Sequence, residues 1–125
     1  MKRFAYFFAL TGLALLSAAA EDVTGKWTGS ISITRPNGES KDAGAVLVLK
    51  QTGTEITGTV GPSGDEQSTI QKGVIAADKV TLQLTADGAD VKFDLTLADG
   101  HLKGTGEAKH EGQIMQLKLD VTRAN

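Results

Sequence analysis

Apolar and polar residues alternate along most of the chain after residue 25, with a period of two rather than 3.6. In the first such segment Trp27, Ile31 and Ile33 fall on one face, and Lys26, Thr28, Ser30, Ser32 and Thr34 on the other. Ile56, Gly58 and Val60 alternate with Glu55, Thr57 and Thr59, and Val80, Leu82 and Leu84 with Thr81, Gln83 and Thr85. The clearest case sets Val91, Phe93, Leu95 and Leu97 against Lys92, Asp94 and Thr96. Leu102, Gly104, Gly106 and Ala108 follow, and then Met115, Leu117, Leu119 and Val121. Successive side chains of an extended strand point to opposite faces, so each segment predicts a strand with one buried side.

Two segments are less regular. Ala45 to Gln51 carries Val46, Leu47, Val48 and Leu49 in a row, apolar on both faces. One side of that strand must then meet something outside the core, either the long loop expected over Pro36 to Gly44 or a second copy of the chain. In the fourth segment Ile70 and Val74 are in phase and Ile75 is not, which predicts a bulge near Gly73.

Turn-forming clusters separate the segments: Pro36-Asn37-Gly38, Gly53-Thr54, Pro62-Ser63-Gly64-Asp65, Ala77-Asp78, Asp87-Gly88, Asp99-Gly100 and Glu111-Gly112. Glycine supplies positive φ, and Asx side chains bond their own backbone. Seven turns give eight strands, and links as short as two residues force sequence neighbours to pair. No helical period appears between them. The prediction is an all-β, eight-stranded antiparallel up-and-down meander. Closure into a barrel is favoured because an open sheet would leave two bare edges and an uncovered apolar face.

The opening of the first strand, Thr24-Gly25-Lys26-Trp27-Thr28, resembles the start of the lipocalin and avidin barrels, grouped as calycins. The stretch Ile56-Thr57-Gly58-Thr59-Val60 is similar to early avidin strands, and Trp27-Thr28-Gly29-Ser30-Ile31 to the W-x-G-x-I opening of small exported bacterial domains. The resemblance implies a calycin-like barrel in which Trp27 plugs the closed end and a basic residue of the final strand, here Arg123, packs across it. The biotin site of avidin does not carry over, because Trp27 is the sole tryptophan and Gly29 stands at the position of an asparagine ligand.

The chain begins differently. Lys2 and Arg3 precede an apolar run from Phe4 to Leu16, and Ser17-Ala18-Ala19-Ala20 offers the small residues of a signal-peptidase site. The run is shorter than the ~20 residues of a membrane span. Residues 1–20 are therefore expected to be a signal peptide and 21–125 a single barrel domain, periplasmic or extracellular, with no membrane attachment after cleavage. Without Lys2 and Arg3, 11 basic residues face 15 acidic ones, a net charge of −4. That balance argues against a nucleic-acid partner, which needs a basic stripe. With no cysteine, core packing alone must hold the fold.

Candidate chemistry is sparse. His101 and His110 lie nine positions apart, roughly 30 Å along a straight strand and on opposite faces, so they cannot share a metal. Asp87 and Asp90 lack the pattern of a calcium loop, and no G-x-S-x-G elbow or phosphate loop is present. The reading is a protein that is not an enzyme and has no cofactor, metal site or catalytic residue. A barrel of this size is either just filled or holds one small ligand. The expected function is an exported binding module, with a small apolar ligand in an interior lined by Trp27, Ile31, Phe93, Leu95, Gly104, Gly106, Met115 and Leu117. Gly58, Gly104, Gly106 and Ala108 would either leave room for it or let the strands coil tightly. The alternative is a protein-interaction or inhibitor domain acting through loops at Pro36–Lys41 or Pro62–Glu66. A homodimer through the strand Ala45–Gln51 is a further possible partner arrangement.

Overall fold

Every predicted strand forms. The computed structural model describes residues 22–124, and the expected leader, residues 1–20, lies outside them. The strands are β1 (Gly25–Thr34), β2 (Ser40–Thr52), β3 (Glu55–Ser63), β4 (Glu66–Ala76), β5 (Lys79–Ala86), β6 (Ala89–Ala98), β7 (His101–His110) and β8 (Gln113–Arg123). Each pairs antiparallel with its sequence neighbours, and β1 also pairs with β8, so the meander closes into a barrel. Trp27 lies opposite Arg123 and Thr34 opposite Gln116 across that closing seam. Among the described residues there is no helix.

The turns obey local chemistry. At Asp87-Gly88, Asp99-Gly100 and Glu111-Gly112 both residues have positive φ, between 50° and 81°. Two left-handed residues in succession give the type I′ geometry whose twist matches the flanking strands. Ala77, itself neither glycine nor Asx, adopts φ 56°.

The alternation translates into burial. Twenty apolar residues are buried, and no polar residue is buried among those described. Trp27, Leu47, Leu82 and Leu102 are wholly inaccessible. At ~1.5–3 kcal/mol for each large side chain, this interior replaces the disulfides the chain lacks.

Two details of β2 differ from the pattern-based expectation. β2 starts at Ser40, so the expected loop over Pro36–Gly44 shrinks to a turn at residues 35–39. The turn is closed by Arg35 N–H donating to Glu39 O (2.8 Å) and Gly38 N–H donating to Arg35 O (2.9 Å). The apolar row of β2 is also not covered by that turn: Leu47 and Leu49 point inward, Val46 is half-buried and Val48 is exposed. Both edges of the Ala45–Gln51 segment are largely occupied, by β1 and, from Val46 onward, by β3.

The bulge expected near Gly73 falls just before it on β4, between Ile70 and Lys72. Ile70 pairs with Leu84 and Lys72 with Gln83, leaving Gln71 as the extra residue. Ile70 and Ile75 are five positions apart, and the bulge lets both point inward; Val74 turns out to solvent. The β3–β4 ladder shifts register twice, between Glu55 and Thr59 and between Val60 and Ser63, and the latter stretch contains Pro62, where a residue without an amide proton is tolerated.

Glycine matters most where strands approach closely. A Cβ on Gly58, at φ 134°, would overlap the carbonyl oxygen of Val48 on β2. Gly53, at φ 64°, has open space around it. Gly58→Ala is expected to cost at least about 2 kcal/mol through steric overlap and backbone strain together, and Gly53→Ala about 1 kcal/mol through strain alone. Urea unfolding of both variants checks the order.

Candidate functional site

The two ends of the barrel are built differently. One end carries the turns at Gly53-Thr54, Ala77-Asp78 and Asp99-Gly100, together with Val23 and Arg123. Here the interior is sealed. Trp27 fills it, and its indole Nε1–H donates to the Val23 carbonyl (2.9 Å), which satisfies the ring's one polar group inside an apolar core.

Arg123 closes the same end from outside. Its guanidinium carbon stands 4.6 Å from the centre of the Trp27 ring. Nη1 donates to the Thr24 carbonyl (2.7 Å) and Nη2 to the Asp22 carbonyl. Gln51 ties the strap to β2, accepting from Val23 N–H (3.0 Å) while its own N–H donates to Thr24 Oγ1 (2.9 Å). One planar side chain thus covers an indole face and fixes two carbonyls, which lysine's point charge cannot do. Hydrogen bonds from Thr24, with a smaller contribution from the Arg123 charge, hold the Asp22 carboxyl below its ordinary pKa of 3.8. A depressed carboxyl contributes stability above its unfolded-state value, and that contribution is lost as pH falls through the folded value.

The other end is open. Between the turns at residues 35–39, Gly64-Asp65, Asp87-Gly88 and Glu111-Gly112 lies a cup of about 370 Å³. Its walls include Ile31, Ile33, Val91, Phe93, Met115 and Leu117, with Ala43, Ala86, Ala89 and Ala108 between them. Ile31, Ile33, Ala86, Val91 and Met115 are only partly buried although they belong to the inward face. Asp87 and His110 are the ionisable residues on the lining, both at the rim.

Of the residues nominated from sequence, Ile31, Phe93, Met115 and Leu117 line this cup. Trp27, Leu95, Gly104 and Gly106 do not. Trp27 and Leu95 are fully packed, at 0% and 2% exposure. Gly104 faces Leu95 across the β6–β7 pair, and a Cβ there would run into the Asp94 carbonyl oxygen. Gly106 faces Phe93, whose ring lies over it with Cδ1 2.7 Å from where a Cβ would sit. Both glycines let strands and rings come close, so the empty space lies elsewhere. Ala108, read from sequence as a residue that could leave room, is on the lining; Ile33, Ala43, Ala86, Ala89, Asp87 and His110 were not nominated. Their signal was available in the strand count, since alternate turns of a meander lie at the same end.

The wall beside the cup is thin. Pairing of β2 with β3 begins only at Val46–Gly61, and among the described residues no strand pairs with Ser40–Ala45 on that side. Gln67 bridges the gap, donating from Nε2 to Val46 O (3.2 Å) and Ser63 O (2.7 Å) and accepting from Thr59 Oγ1 (2.6 Å). Lys41 sits on this free edge, where a charge discourages pairing with another strand.

The histidines stand at opposite ends of β7. His101 Nδ1 is 2.7 Å from Asp120 Oδ1, and His110 Nε2 is 3.3 Å from Glu111 Oε1. Among the described residues no three His, Cys, Asp or Glu side chains are grouped to hold a metal.

No family model matches the chain, and no curated protein matches it. A solved structure similar to it is a protein of unknown function from the DUF3598 family of Nostoc punctiforme, at 12% identity and a TM-score of 0.48. The match covers 87% of this chain and 49% of that one, so the chain spans about half the length of that protein.

The sealed end makes a direct prediction. Trp27→Ala is expected to cost about 3–5 kcal/mol, and Arg123→Ala about 1–3 kcal/mol. Arg123→Lys should recover less than half of the second loss, as read by chemical denaturation.

Proposed function

We propose that this barrel is an exported binding module that holds one small, largely apolar molecule in its open end. The observation that carries the reading is the unequal treatment of the inward face. Of the six inward apolar residues that remain partly exposed, five gather at the mouth around one concavity, and one, Leu97, lies toward the plugged end, where Trp27 is fully packed. Leaving apolar surface wet is unfavourable at ~25 cal/mol per Å². A fold that seals one end so thoroughly and leaves the other open gains by filling it.

Size and polarity support the same class of ligand. An apolar cavity of 150 Å³ accepts benzene, and ligand pockets ordinarily begin near 300 Å³. At about 370 Å³ the cup suits a body of roughly two fused rings or a medium-length chain. Because the interior offers no buried polar side chain, a buried hydroxyl or amide of a ligand would lose its water without replacement. The leader-like residues 1–20 and the resemblance to calycin openings favour export and a calycin-like mode of binding. The loops on which a protein-interaction reading would rest are short, with Ser40, Lys41, Pro62 and Ser63 already in strands.

The neutral fluorophore N-phenyl-1-naphthylamine should gain fluorescence on titration with the protein, saturating at one site per chain. Met115→Glu places a charge on the cup wall at a partly exposed position, and should weaken that binding by roughly tenfold, or about 1.4 kcal/mol. Native mass spectrometry before and after solvent extraction reads any ligand carried through purification. A protein that leaves the probe dark and flies only at its bare chain mass overturns the proposal.

A further inference from the structure

We infer that the cup selects ligands by charge, preferring an apolar body that carries a protonated amine over the same body carrying a carboxylate. The inference deepens the proposed function and rests on it. Its basis is an imbalance of charge between the two ends of the barrel.

The mouth is acidic. The β3–β4 turn brings Asp65 and Glu66, the β5–β6 hairpin Asp87 and Asp90, and the β7–β8 turn Glu111. The β1–β2 hairpin adds Glu39 and Asp42, and is itself offset by Arg35 and Lys41. With Lys109, that makes three fixed positive charges against seven carboxylates. At the sealed end Asp22, Glu55, Asp78 and Asp99 are balanced by Lys26, Lys50, Lys79 and Arg123. The negative excess therefore lies around the open end, through which a ligand would enter.

Asp87 is the carboxylate best placed to be felt. It lines the cup itself, and the two-residue turn at φ 51° sets its backbone at the rim. Among the described residues it forms no ion pair, whereas Glu111 is engaged with His110. Low-dielectric walls beneath a ring of like charge concentrate the field at the opening. An ammonium group at the mouth keeps its water on one side and gains that field, while the hydrocarbon behind it fills the cup. A carboxylate in the same place meets the field with the wrong sign.

The test uses three ligands that share one rigid body: 1-adamantanamine, 1-adamantanecarboxylate and the neutral 1-adamantanol, titrated at about pH 8 and low salt with binding read by calorimetry or chemical shift. The amine should bind roughly five- to tenfold more tightly than the carboxylate, with the alcohol between them. Raising salt to about 0.5 M should compress the series. Asp87→Asn preserves the turn, because asparagine accepts positive φ readily. It should reduce the amine's advantage over the carboxylate by roughly two- to fivefold, the range of a solvent-edged charge pair, and change the alcohol's binding by less than that. Equal binding of amine and carboxylate, a preference for the carboxylate, or an Asp87→Asn variant with the full preference each overturns the inference. Failure of all three ligands to bind, the alcohol included, overturns instead the reading of the cup as a binding site.

Discussion

The pairing of β1 with β8 is the constraint on which the rest of the structure depends. Every other strand pair joins sequence neighbours through a turn, and each hairpin is locally specified. The seam alone joins residues from the two ends of the described chain, with Trp27 opposite Arg123. Until it forms, the sheet has two bare edges and its apolar face has no opposite wall. Once it forms, side chains from all eight strands share a single interior. Contacts between such distant residues are expensive in chain entropy, and the entropy is spent before the packing is gained. Arg123 and the Asp22–Thr24 strap sit at the end of this seam, where fraying would otherwise start. Ala124 N–H, donating to Lys26 O at 2.8 Å, extends the seam by one more bond.

Closure also explains why the two ends differ. A barrel of eight strands has room for about one layer of large side chains at a time. Below the cup Trp27, Leu47, Leu82 and Leu102 are wholly inaccessible, so that room is used completely. Toward the mouth the inward positions change to Ala43, Ala45, Ala86, Ala89 and Ala108, and the same circumference is no longer filled. The cup is thus a result of side-chain size along otherwise equivalent strands. The strand geometry contributes a thinner stretch of wall, where β2 runs on past its last pairing with β3 and Gln67 bridges the two.

The turns and the inward faces were readable in the sequence because both are local. Asp-Gly and Glu-Gly pairs demand left-handed backbone, and strict alternation names the buried side. The start of β2 was not readable, because Ser40 to Gly44 carries no alternation and pairs only because β1 is there to receive it. The bulge was visible as a phase slip between Ile70 and Ile75, yet its site at Gln71 depends on registers with two neighbouring strands. Half of the nominated lining lies elsewhere for a related reason. Gly104 and Gly106 suggest space when read as small residues, but Phe93 and neighbouring backbone occupy what their missing side chains leave. Whether an inward residue is packed or wet depends on its height in the barrel, and height follows from counting turns from the plug.

Trp27 is the chain's sole tryptophan, it is wholly shielded, and it lies outside the cup lining. Its intrinsic emission is therefore an optical gauge of the plugged floor, blue-shifted as long as that floor holds. A guest settling at the mouth would leave the signal almost untouched, while loss of the guanidinium lid would shift it to the red. The molecule carries a built-in reporter of its integrity that would be blind to anything bound at the mouth.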